Sequence, residues 1–148
     1  MRWWGWLVAG GVAVVAVMVW SSWPVNPSGY RQVLSGAAQD ALSASGTTML
    51  VAQADGAGDL IGPYTATALD ESREAVATAT QSVLAEAVPD EASAQLRAEL
   101  VPLLIGASDS IAAVQNAVEE SDSAGVDEAA AMLTPIQDQL DRFVQDNP

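Results

Sequence analysis

Carboxylates are the one kind of titratable side chain this sequence carries in quantity. Nineteen Asp and Glu stand beside five Arg, with no His, no Cys and no Lys. The commonest general base, the thiolate and amine nucleophiles, and the commonest transition-metal ligand are therefore all missing. What carboxylates can do alone is bind hard cations or work in pairs on glycosidic bonds. Seven of them form the nearest thing to a grouping: Asp55 and Asp59, then Glu119, Glu120, Asp122, Asp127 and Glu128. The second run, "EESDSAGVDEA", has neither the acid spacing nor the closing Glu of an EF-hand loop. Solvated loops and the first turn of a helix explain acids at these positions equally well. They are read as an acidic surface, for a divalent cation or a basic partner, and no metal or cofactor site is assigned. A glycosidase would also need aromatic rings to stack sugars. All five Trp lie within residues 3 to 23, leaving Tyr30, Tyr64 and Phe143 for the rest. No catalytic residue is assigned, and the reading is that of a non-enzyme.

The acids also bear on partners. From residue 24 onward, four Arg against nineteen acids leave a charge of −15. Such a body is repelled by nucleic-acid phosphates, which excludes a DNA- or RNA-binding role. Abundant Ala and Val, with Arg in place of Lys, has the composition of a bacterial protein from a high-GC gene.

Positioning begins with the N-terminus. From Leu7 to Val19 the chain is unbroken Leu, Val, Ala, Gly and Met, flanked by Trp3, Trp4 and Trp6 on one side and Trp20 and Trp23 on the other. As a helix, residues 3 to 23 span about 30 Å, one hydrocarbon core. Trp favours the membrane interface, where its ring is in lipid and its N–H is wet. Residues 1–23 thus read as a transmembrane signal-anchor contacting lipid through residues 3–23. A cleaved signal shares the apolar run, but the best cut site, at Ser21, has Val19 and Ser21 where small residues are wanted. The uncleaved anchor is favoured, and secretion after a cut near Ser21 is the alternative. Arg2 places the N-terminus in the cytoplasm and the body outside. Pro24 and Pro27 make residues 24–27 a short, semi-rigid joint.

Residues 28–148 show helical periodicity throughout and almost no strict alternation. Helices are expected over roughly 28–54, 60–87, 90–120 and 126–145. Their apolar seams are, in order: Tyr30, Leu34, Ala37, Ala41, Ala44, Thr48 and Val51; Ala68, Leu69, Val76, Ala79, Val83 and Ala87; Leu96, Leu100, Leu103, Ala107, Ile111, Val114 and Val118; Ala129, Leu133, Ile136, Leu140 and Phe143. Asp90 is the expected N-cap of the third. Pro102 and Pro135 lie inside the third and fourth helices and should kink them without ending them. Short connections make neighbours antiparallel, an all-α up-down-up-down four-helix bundle. Folding the last hairpin about Ser123 pairs Val118 with Ala129, Val114 with Leu133, Ile111 with Ile136 and Ala107 with Leu140. The same topology gathers Arg31, Arg97 and Arg142 at the end nearest the anchor, with the acidic pole at the far end. Function is expected to be that of a membrane-tethered accessory subunit or scaffold, working through a protein partner. A small-ligand or cation-binding bundle is the alternative.

Overall fold

A computed structural model describes residues 26–56 and 62–148. The anchor at residues 1–23, its interfacial Trp3, Trp4, Trp6, Trp20 and Trp23, the start of the joint, and Asp59 lie outside the described residues. What is described is all-helical, with no strand: α1 (Pro27–Gly56), α2 (Gly62–Ala85), α3 (Glu91–Glu119) and α4 (Ser123–Asp146).

Two of the helices start where a side chain satisfies a first-turn amide. The Asn26 side chain accepts from the Ser28 amide at 3.3 Å, and Pro27, whose missing N–H costs nothing at that position, opens α1. Asp90 caps α3 by accepting from the Ser93 amide at 2.7 Å, as expected. α3 and α4 run unbroken through Pro102 and Pro135, both of which are exposed. On that side water can satisfy the carbonyls of Ala98 and Ala131 that lose their helical donors.

Packing explains how the elements are arranged. α1 touches all three other helices, including α3 across the diagonal, whereas α2 and α4 do not meet. The bundle section is therefore a rhombus with α1 and α3 on its short diagonal. Every expected seam residue of α1 is buried, and so is a second stripe, Ala38, Ser45 and Ala52, at seven-residue spacing. Small side chains on both stripes let neighbouring backbones come close. The hydroxyls among them are partly satisfied within the helix: Thr48 donates to the Ala44 carbonyl at 2.9 Å. Of the other expected seams, Ala68, Leu96, Val118 and Ile136 are half-buried, and two further positions depart from expectation. Ala87 is exposed, because α2 ends at Ala85, and the fully buried leucine of the middle of α3 is Leu104, with Leu103 half-buried.

The α3–α4 hairpin also folds differently from the expected register. A Cβ on Gly125 would lie 3.2 Å from that of Ala117, and one on Gly106 would lie 3.2 Å from Ile136 Cδ1. Eleven residues separate the two contacts on each helix, so both belong to one antiparallel register, centred on Ser121. The pairs drawn about Ser123 are thus displaced by five residues along the partner. The cause is a tighter turn. The Ser121 amide donates to Val118 at 3.1 Å and the Asp122 amide to Ala117 at 2.8 Å, the paired bonds of a Schellman motif. Asp122 is at once the N-cap position of α4, so three residues make the whole connection. Ser121 occupies the left-handed position of that motif, with φ 56°, where Gly is usual. Ser121→Gly is accordingly expected to stabilise the fold by about 0.5–1 kcal/mol, the relieved Cβ strain exceeding the extra chain entropy. Urea denaturation followed by circular dichroism measures it.

Glycines within helices behave oppositely. Around Gly36 and Gly46 of α1 there is open space where a Cβ would go, so packing does not require them. Gly36→Ala and Gly46→Ala are each expected to raise stability by about 1 kcal/mol from helix propensity alone. Gly106→Ala should show no such gain, since its methyl presses on Ile136. The three melting temperatures together test the distinction.

Candidate functional site

Glu119, Glu120, Asp122, Asp127 and Glu128 sit on the α3–α4 turn and the first turns of α4, all exposed. They spread along the surface instead of converging. Among the described residues no three acidic side chains are grouped so as to hold a metal ion. Asp122 does not bond its helix amides; its carboxylate fills the space that a Cβ on Gly125 would take. Asp55 falls in the last turn of α1.

At the opposite end the arginines lie where the topology requires, and the fold uses them. Arg97 of α3 donates to the Leu84 carbonyl in the last turn of α2 at 3.4 Å, placing a cation on the negative end of that helix dipole. Arg142 donates to the Asp138 carbonyl of its own helix at 3.1 Å. Arg73, midway along α2, is 3.7 Å from Asp70, an exposed pair worth little. Arg31 lies near enough to Asp90 to act on it. The Ser93 amide does most to hold the Asp90 carboxyl below its ordinary value, and Arg31 adds a weaker pull.

The consequence for pH has a definite sign. A carboxyl whose folded pKa is depressed contributes stability above its unfolded value, about 3.9, and loses it as pH falls through the folded value. Asp90→Asn is expected to flatten the acid limb of the stability profile below about pH 4 while changing neutral stability less than Asp90→Ala does. Denaturation midpoints measured from pH 2 to 7, all on the approximate scale of that linkage, check this.

Two open grooves run along the bundle. One, of about 550 Å³, lies between α1 and α2 and is lined by Asp40, Ser43, Ala44, Thr47, Ala68, Glu71, Ser72, Glu74, Ala75 and Thr78. The second, of about 530 Å³, lies between α3 and α4 and includes Leu96, Leu103, Arg142 and Phe143. The largest departures from a solvated surface are Leu50 and Tyr64, 68% and 67% exposed. Sequence reasoning missed both. Leu50 lies opposite the α1 seam, and Tyr64 stands in the first turn of α2; an apolar residue off the seam was the available signal.

α3 alone among the described helices is long and apolar enough to cross a bilayer, by length and composition. It buries Leu100, Leu104, Ala107, Ile111 and Val114 against the other helices, the pattern of a bundle's core helix.

The chain matches no family model, no curated protein and no solved structure.

Proposed function

We propose that this protein is a membrane-tethered, extracytoplasmic helical module that works by binding a protein partner and performs no catalysis. The observation that carries the proposal is the pair of large apolar side chains, Leu50 and Tyr64, left two-thirds exposed on an otherwise acidic bundle. Isolated exposed apolar residues are ordinary, but aromatic and aliphatic side chains on one face are the usual anchors of an interface. The residue inventory supports the rest: with no His, Cys or Lys, the chain lacks the groups on which most catalytic centres depend. The apolar run from Leu7 to Val19, bracketed by Trp and preceded by Arg2, supports the tether and its orientation.

Two measurements test the proposal separately. Intact mass of the protein recovered from membranes should equal that of the full 15.3 kDa chain; a mass beginning at or near Ser22 would remove the tether. Affinity purification from membranes in mild detergent should recover a second protein in fixed proportion. Recovery of this chain alone at every detergent strength would sink the partner-binding role.

A further inference from the structure

The groove between α1 and α2 differs from the rest of the surface in what stands along it. Its floor is formed by small residues such as Ala44, Ala68 and Ala75, and Ser72 turns its hydroxyl back onto the Ala68 carbonyl at 2.8 Å. A floor of methyl groups with its hydroxyl already bonded makes few polar demands on an occupant. Three carboxylates, Asp40, Glu71 and Glu74, stand on its rims, and no basic side chain lines it. All three are exposed, so nothing within the groove neutralises them.

Helical spacing ties this groove to the exposed apolar pair. Thr47 and Ala68 line the groove near the end that bears the α1–α2 connection. Leu50 is three residues beyond Thr47, and Tyr64 four residues before Ala68, which puts each one turn further along the same side of its helix. The groove therefore leads from acidic rims into a mouth flanked by the two most exposed large apolar side chains among the described residues.

We propose that the α1–α2 groove, with Leu50 and Tyr64 at its mouth and Asp40, Glu71 and Glu74 on its rims, docks a basic amphipathic segment of a partner protein. This rests on the partner-binding reading above and adds the surface and the chemistry of the partner. An apolar strip on the segment covers Leu50 and Tyr64, the small floor admits close approach of a helix, and Lys or Arg beside the strip meets the rim carboxylates. An acidic or uncharged segment leaves the three carboxylates facing like charge or nothing, which discriminates against it.

The test uses the full-length protein in the membranes of the cells that make it. The photo-crosslinking residue p-benzoylphenylalanine is placed at Ser43 or Leu50 in the groove, or at Ile105 or Met132, which are exposed elsewhere. Irradiation should trap one protein from Ser43 and Leu50 and none from Ile105 or Met132. Mass spectrometry of the trapped peptide should find it rich in Lys or Arg with apolar residues at helical spacing. Glu71→Gln combined with Glu74→Gln should lower the trapped fraction about tenfold, and Tyr64→Ala by a similar factor. All three positions are exposed, and unchanged helix content by circular dichroism separates lost docking from lost folding. A trapped segment without basic residues, a trapped lipid, or trapping unaffected by the charge-removing variant overturns the proposal. Trapping only from Ile105 or Met132 overturns the groove while leaving the partner-binding reading intact. Failure to trap at all four positions, together with solitary purification, overturns both.

Discussion

Ala41→Leu is expected to lower stability by about 1–3 kcal/mol, or to force the bundle to repack. Ala41 is completely buried in the centre of α1, which, like α3, touches all three other helices. Its neighbours on that face, Ala37, Ala38, Ala44 and Ser45, are small as well, so the space between helices is set by methyl groups and hydroxyls. Three added carbons have no gap to enter and must push α1 from a neighbour. Domains of this size are stable by only about 5–15 kcal/mol, so the loss is a large fraction of the total. A urea titration followed by circular dichroism gives the midpoint shift. Ala41→Gly controls for side-chain removal: it should cost about 1 kcal/mol through propensity without any steric effect. A tolerated leucine with an unchanged midpoint would falsify the close-packed description of α1.

The second large effect lies on the other helix of the short diagonal. Leu104→Ala should cost about 2–5 kcal/mol, the range for a fully buried leucine whose cavity the surroundings cannot close. Leu104 is wholly inaccessible, whereas its neighbour Leu103 is half-buried at the edge of the α3–α4 groove. Leu103→Ala should therefore cost clearly less. A comparison of the two midpoints settles which face of α3 is the core, and equal losses would contradict the assigned orientation of the helix.

Those two leucines show what could and could not be read from the sequence. Periodicity located all four helices within a few residues, because apolar side chains at three- and four-residue steps leave little else to form. It placed Tyr30, Leu34, Ile111, Val114, Leu133 and Leu140 correctly in the core. Choosing between Leu103 and Leu104 required knowing that α3 meets α1 diagonally as well as α2 and α4, and that is a tertiary fact. The second buried stripe of α1 was hidden for the same reason: Ala38, Ser45 and Ala52 are too small to register as a seam in a chain full of alanine. Turn chemistry accounts for the displaced hairpin. Ser121 is an unusual residue for a left-handed helix-ending position, so nothing in "EESDSAG" announced a three-residue connection.

The acidic surface divides similarly. The far-end placement of Glu119, Glu120, Asp122, Asp127 and Glu128 followed from topology alone. The rim acids Asp40, Glu71 and Glu74 were unremarkable in sequence, because 31 positions separate the first from the second. Only the pairing of α1 with α2 brings them to one groove.

The central place of α1 has a mechanical side. The chain enters this helix at Asn26, so any pull transmitted from residues 1–25 is delivered to the element gripped by all the others. Load along its axis must shear three helical interfaces together, whereas load on α2 or α4 could peel one helix from two neighbours. The four-helix count also brings the last turn of α4 back to the Asn26 end, leaving the α3–α4 turn at the opposite one. A pull applied at Asn26 would thus be shared among three interfaces, a property that α1 has in common only with α3 among the described helices.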